Sequence, residues 1–177
     1  MRSDEVVFDT TCPLYFTATG HLELLERRYA GRCYLPDEVR IEIERGEAEH
    51  GHNCEPLLRA SWWKPVAIEE PEDHALFLQL LQAWGKTERN RGEAAAIVLA
   101  RRLGAVAVVD DLQGRRAAQR HGVPITGTIG ILARLVAEGQ VDPDYGWMLH
   151  ADMVQLGFRS PLRTEADFQA LVSQVRA

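Results

Sequence analysis

Apolar residues along this chain gather in short continuous runs, separated by stretches in which they recur every three or four positions. Val6-Val7-Phe8 and Ala105-Val106-Ala107-Val108-Val109 are the clearest runs, and runs of this kind mark strands buried on both faces. Arg32-Cys33-Tyr34-Leu35, Pro65-Val66-Ala67-Ile68 and Val123-Pro124-Ile125 are further short strand candidates. Between them the period changes. Leu22, Leu25 and Tyr29 follow helical spacing up to Gly31, after a turn at Thr10-Thr11-Cys12-Pro13. Pro36-Asp37-Glu38 opens a second helix, with proline and acids in its first turn and Val39 and Ile43 on its buried stripe. Leu76, Leu80 and Trp84 mark a helix over 73–84, and a further helix around Glu93 runs to Leu103, with Gly104 in the terminating position. A helix over about 113–121 follows the second strong run. Thr126-Gly127-Thr128-Ile129-Gly130 comes later, with no element assigned, and helices over about 145–156 and 164–175 close the chain. Short apolar strands alternating with helices predict a parallel sheet flanked by helices.

Periodicity is lost over about 46–65, which reads as a long loop or insertion, and again over 85–91. At 177 residues the chain has room for one α/β core. The expected organisation is one domain over residues 1–160, carrying the 46–65 insertion, and a C-terminal helix within 161–177 packed on the domain or on a partner. No apolar run approaches the roughly 20 residues that cross a bilayer, so no membrane is expected. The first residues lead straight into a strand without a secretory pattern, and a cytoplasmic address is the expectation. Cys12, Cys33 and Cys54 are odd in number and lack Cys-x-x-Cys spacing, so they read as reduced thiols. A net charge of −6 disfavours a protein that coats nucleic acid nonspecifically, yet leaves room for an enzyme with a local basic rim.

The candidate chemistry lies in the acids. Both strong strands end on aspartate, at Asp9 and at Asp110-Asp111, and Glu93 opens the helix that feeds the second strand. A parallel sheet sets the C-terminal ends of its strands side by side, so these carboxylates can share one site. Oxygen ligands gathered without a fixed cation point to a hard divalent metal, Mg²⁺ or Mn²⁺. Each acid alone has a plainer explanation as a turn former or a helix-start residue; the joint placement favours a metal site. Glu42 sits three positions from Val39, at the edge of a buried stripe, where it can face the sheet.

Asp9-Thr10-Thr11 after the first strand, Pro36 through Glu42 at the next helix, Gly92-Glu93-Ala94-Ala95-Ala96-Ile97, Val109-Asp110-Asp111 followed by Arg115-Arg116, and Gly127-Thr128-Ile129-Gly130 resemble, in order and spacing, the PIN-domain proteins, over roughly residues 5–160. The branch this most resembles is a predicted nucleic-acid-binding group related to the VapC-type toxins of toxin–antitoxin pairs. The resemblance implies a Rossmann-like three-layer α/β/α domain with a central parallel sheet, acting as a metal-dependent endoribonuclease. It implies four acids by position: Asp9, then Glu42, then Glu93, then Asp110 or Asp111. The family's third acid is often aspartate, so glutamate at 93 brings a longer reach. The resemblance also implies that Thr10 and Thr128 orient acids or phosphate and that Arg115 and Arg116 contact phosphate, on an RNA substrate, with an antitoxin protein as a partner.

Other constellations carry less. His50, His52 and Cys54 are zinc-type residues without a second cluster at finger spacing, and read as an ordinary polar loop. Trp62-Trp63 reads as cover for a core edge or an oligomer interface rather than a base-stacking pair. Together with the C-terminal helices it leads us to expect a homodimer. A haloacid-dehalogenase-type phosphatase needs a second aspartate where Thr11 stands. A receiver domain needs a late lysine, and none follows Lys86. The rival of a different class is a PIN-like scaffold that binds or inhibits a protein without turnover.

Overall fold

The structure, a computed structural model, describes residues 4–50, 53–85 and 90–176, without the side chains of 47–50. Five strands, β1 (Val6–Phe8), β2 (Cys33–Pro36), β3 (Lys64–Val66), β4 (Val106–Val108) and β5 (Ile125–Thr126), form one sheet in the order β3-β2-β1-β4-β5. Every pairing is parallel; Val6 stands opposite Cys33 on one side and Val106 on the other.

Side chains alternate across the sheet, so a continuous apolar run feeds two cores at once. Val6, Phe8, Cys33, Leu35 and Val108 face one cluster, while Val7, Ala107 and Val109 face the other. The first cluster is covered by α1 (Thr11–Ala18), α2 (Leu22–Tyr29), α8 (Thr128–Ala137), α9 (Pro143–Gln155) and α10 (Glu165–Arg176). The second is covered by α5 (Pro71–Ala83), α6 (Arg91–Leu103) and α7 (Leu112–Arg120). These are the three layers of an α/β/α fold. α3 (Asp37–His50) packs on α6 and β2, and its Val39 and Ile43 are buried as the stripe predicts.

The strand order reverses direction at β1, with β2 on one side and β4 on the other. A crevice outside the carboxyl ends of the strands at such a switch point is the usual ligand position in open α/β sheets. α6 is placed against it by its composition: Gly92 and Ala94 through Ala100 are all buried, and small side chains let the helix lie close to the sheet. Gly104, at φ 64°, ends α6 in the left-handed conformation that glycine adopts without steric cost.

Several expectations are corrected. The segment 46–65 is not one irregular loop, because α3 continues to His50 and a short α4 (Glu55–Arg59) follows. Pro56 sits in the first turn of α4, where its missing N–H costs nothing, and Leu57 is fully buried. His52 lies outside the described residues, as does the side chain of His50. Cys54 is buried. The turn expected at Thr10–Pro13 opens α1. Residues 128–137, where no element was expected, form α8. The Trp62 and Trp63 rings lie 4.6 Å apart and pack, half-buried, against the first cluster. α10 folds back onto α8 and α9, burying Phe168 and Val172, so much of the apolar surface from which a dimer was expected is used within the chain.

Candidate active site

Asp9 follows β1 directly and is 4% exposed. One oxygen, Oδ1, accepts the backbone N–H groups of Thr11 at 3.1 Å and Cys12 at 3.4 Å, the free donors at the start of α1. Burial, with Asp110 and Glu93 close by, nevertheless holds its carboxyl well above the usual range. Asp110 stands at the matching position beyond β4. Thr128, fully buried at the start of α8, clamps it twice: its N–H donates to Oδ1 at 2.9 Å and its hydroxyl to Oδ2 at 2.5 Å. Burial still raises Asp110, against those two bonds and the Arg115 guanidinium.

Glu42 reaches across from α3 to the start of α6. Its carboxylate accepts the Thr10 hydroxyl and, at 2.7 Å, the Gly92 N–H. Burial raises Glu42, while Thr10, Gly92, Arg91 and Arg45 oppose the rise. A Cβ on Gly92 would stand 2.5 Å from Glu42 Oε2 and 2.8 Å from Thr10 Oγ1, so this contact requires glycine for space rather than for backbone conformation. Glu93, the next residue, extends over α7, where a Cβ on Gly114 would overlap its carboxyl. Burial, and then the charges of Asp111, Glu42 and Asp110, push Glu93 up to about 8.

Asp9, Thr10, Thr11, Glu42, Asn90, Glu93 and Asp111 line one cleft of about 140 Å³. Asp110 does not line it and stands behind, near enough to Asp9 for its charge to raise that carboxyl. Asp111 is exposed on its rim, as the residue before α7. The donors are all oxygens or amide groups, the chemistry of a hard cation rather than of zinc. Their mutual repulsion and burial are conditions that a divalent cation relieves. Among the described residues, though, no three His, Cys, Asp or Glu side chains stand close enough together to hold an ion as they are. The fit is therefore one of donor chemistry and placement.

Arg115 is half-buried and donates to the Val109 carbonyl at 3.0 Å, beside Asp110. It braces the loop beyond β4. Arg116 is exposed on α7. Thr11 and Asn90 complete the cleft and were not singled out from the sequence. Asn90, directly before α6 and two residues ahead of Gly92-Glu93, was the available signal.

A PIN-domain family model matches residues 5–172. The chain is a PIN-domain protein. The match takes in the sheet, the acids and most of α10, and the PIN domain is a nuclease-type fold that binds nucleic acid and typically employs divalent metal. A search of curated proteins finds no match to this PIN-domain chain.

Proposed function

We propose that this PIN-domain protein hydrolyses RNA phosphodiesters with the help of Mg²⁺ or Mn²⁺, as an endoribonuclease. The observation that carries the reading is the convergence of Asp9, Glu42, Glu93 and Asp111 on one cleft at the sheet's switch point, with Asp110 directly behind. Asp9, Glu93 and Asp111 would hold the cation, with Asp110 the alternative to Asp111. A bound divalent cation supplies a more acidic water and stabilises charge on a phosphodiester.

The protein's own groups do the positioning. Thr128 fixes Asp110 and Thr10 fixes Glu42, each through a hydroxyl donated to a carboxylate. Glu93, pushed up to about 8 by burial and the neighbouring acids in the metal-free cleft, is a carboxylate whose charged form a bound cation would favour. Arg115 and Arg116 would meet phosphate, the first chiefly by keeping the loop beyond β4 in place. The test is incubation of a mixed RNA panel with the protein in Mg²⁺, Mn²⁺ or EDTA. Cleavage that EDTA stops supports the reading; intact RNA under every condition opposes it.

A second reading, a protein-binding scaffold without turnover, is favoured by one observation: protein donors already occupy Asp9, Glu42 and Asp110. The toxin role, with an antitoxin covering the cleft, belongs to the same proposal as hydrolysis, as do cytoplasmic residence, which three buried unbridged cysteines suit, and a homodimer. Light scattering of the purified protein, with and without proteins that co-purify from its host, tests for the homodimer and the antitoxin.

A further inference from the structure

Beside the acid cleft lies a much larger groove of about 990 Å³, between the end of α5 and the exposed face of α7. Asp111 lines both, so the groove opens directly onto the acids. Its long wall is α7, where Gln113, Arg116 and Arg120 fall at spacings of three and four and therefore form one stripe. Both arginines are exposed, and among the described residues neither guanidinium is in an ion pair. Arg120 Nε only grazes the Arg116 carbonyl, at 3.4 Å. On the same face of α7, four positions before Arg116 and beside Asp111, Leu112 is 58% exposed, and Ala83 and Trp84 at the end of α5 form the groove's other wall.

A basic stripe on an acidic protein, leading into a cluster of carboxylates, is paradoxical for a cation site alone. It is expected where a polyanion must be brought to acids that would repel it. We infer that the α7 groove is the track for a single strand of RNA, with successive phosphates on Arg116 and Arg120 and a base against Leu112 next to the cleft. The planar guanidinium suits bidentate phosphate contact. Gln113 supplies a donor and an acceptor for a ribose 2′-hydroxyl, the group that separates RNA from DNA. The inference rests on the RNA-hydrolysis reading for its substrate, and on the groove's charge and continuity for its path.

The test is binding of a labelled single-stranded RNA by fluorescence anisotropy, across a salt series in Mg²⁺, with Glu93→Gln as the parent so that the strand survives. Cleavage by wild type is scored in parallel. Arg116→Ala and Arg120→Ala should each weaken binding by about tenfold at low salt. Each should also flatten the logarithmic salt slope by about 0.7, the value for one phosphate contact on a single strand. Leu112→Ser should weaken binding with the slope unchanged. Arg101→Ala, exposed at the far end of α6 from the acids, should change neither.

Unchanged affinity and slope in the two arginine variants would overturn the track, whether or not wild type cleaves RNA, as would an absence of RNA binding by the parent. Equal affinity for duplex RNA, or for single-stranded DNA of the same sequence, would overturn the assignment to single-stranded RNA. Arginine-dependent binding without any cleavage by wild type would keep the track and remove the hydrolysis.

Discussion

Glu93→Gln should stabilise the metal-free protein, and should do so more as the pH rises. Glutamine keeps the length of the side chain and removes the charge that burial, Asp111, Glu42 and Asp110 all disfavour. The folded-state pKa of about 8 lies above the ordinary 4.5. Between those values the native protein keeps a proton that the unfolded chain has released, so wild-type stability falls as pH rises through that window. The full difference corresponds to about 5 kcal/mol. Asp111 is exposed, and the share of repulsion it contributes is screened by water and salt, which leaves about 2–4 kcal/mol. At pH 8.5 in EDTA the variant should therefore melt roughly 5–15 °C above wild type, whereas at pH 4 the two should converge. Thermal and urea unfolding across pH 4–9 measures this. A gap that stays constant with pH, or a wild type more stable than the variant at pH 8.5, would refute the electrostatic account of the cleft.

Three further outcomes follow from the same geometry. Thr128→Val removes the hydroxyl held at 2.5 Å from Asp110 while keeping the side chain's shape; urea denaturation at pH 7.5 should show a loss of about 1–3 kcal/mol that shrinks as Asp110 is protonated in acid. Gly92→Ala drives a methyl group into the Glu42–Thr10 contact, and should cost about 1–3 kcal/mol in the same assay, with RNA cleavage reduced beyond what the residual folded fraction explains. Mg²⁺ or Mn²⁺ at a hundredfold excess over Kd should add about 2.7 kcal/mol to wild-type stability, and less in Asp9→Asn, as read by thermal shift at fixed pH.

The sheet and most of its helices were legible in the sequence because each strand is buried on both faces and each of those helices carries a one-sided stripe. The misses have physical causes. α1 shows no contrast between faces: Cys12, Pro13 and Phe16 share its buried side, but Leu14, Tyr15 and Ala18 make the other side apolar too, and Pro13 reads as a turn although the first helical turn tolerates it. α8 begins Thr128-Ile129-Gly130, which has the composition of a loop, and then becomes apolar nearly all round because it is buried nearly all round. Gly46, in the middle of α3, has the look of a stop; the helix passes through it, and the Gly46 site leaves open space where a Cβ would stand. At the site, strand ends advertised Asp9 and Asp110-Asp111, because topology alone places them together. The tie between Glu42 and Gly92 joins two helices 50 residues apart, and nothing local to either residue announces it. The same holds for the room that Gly114 leaves for Glu93. Arg115 shows the limit of reading charge from sequence: a basic residue beside an acid pair is a phosphate contact or a brace according to where its guanidinium points, and here it holds the Val109 carbonyl.

The central claim, that these carboxylates form a working hydrolytic centre, is tested most directly by single-turnover cleavage of a labelled RNA, comparing wild type with Asp9→Asn and Glu93→Gln, each verified as folded by its melting transition. The account predicts metal-dependent cleavage by wild type that falls by at least about a hundredfold in both variants, the usual scale for losing a group that acts in the chemical step. Equal cleavage by all three proteins, or none by wild type with either metal, would contradict it.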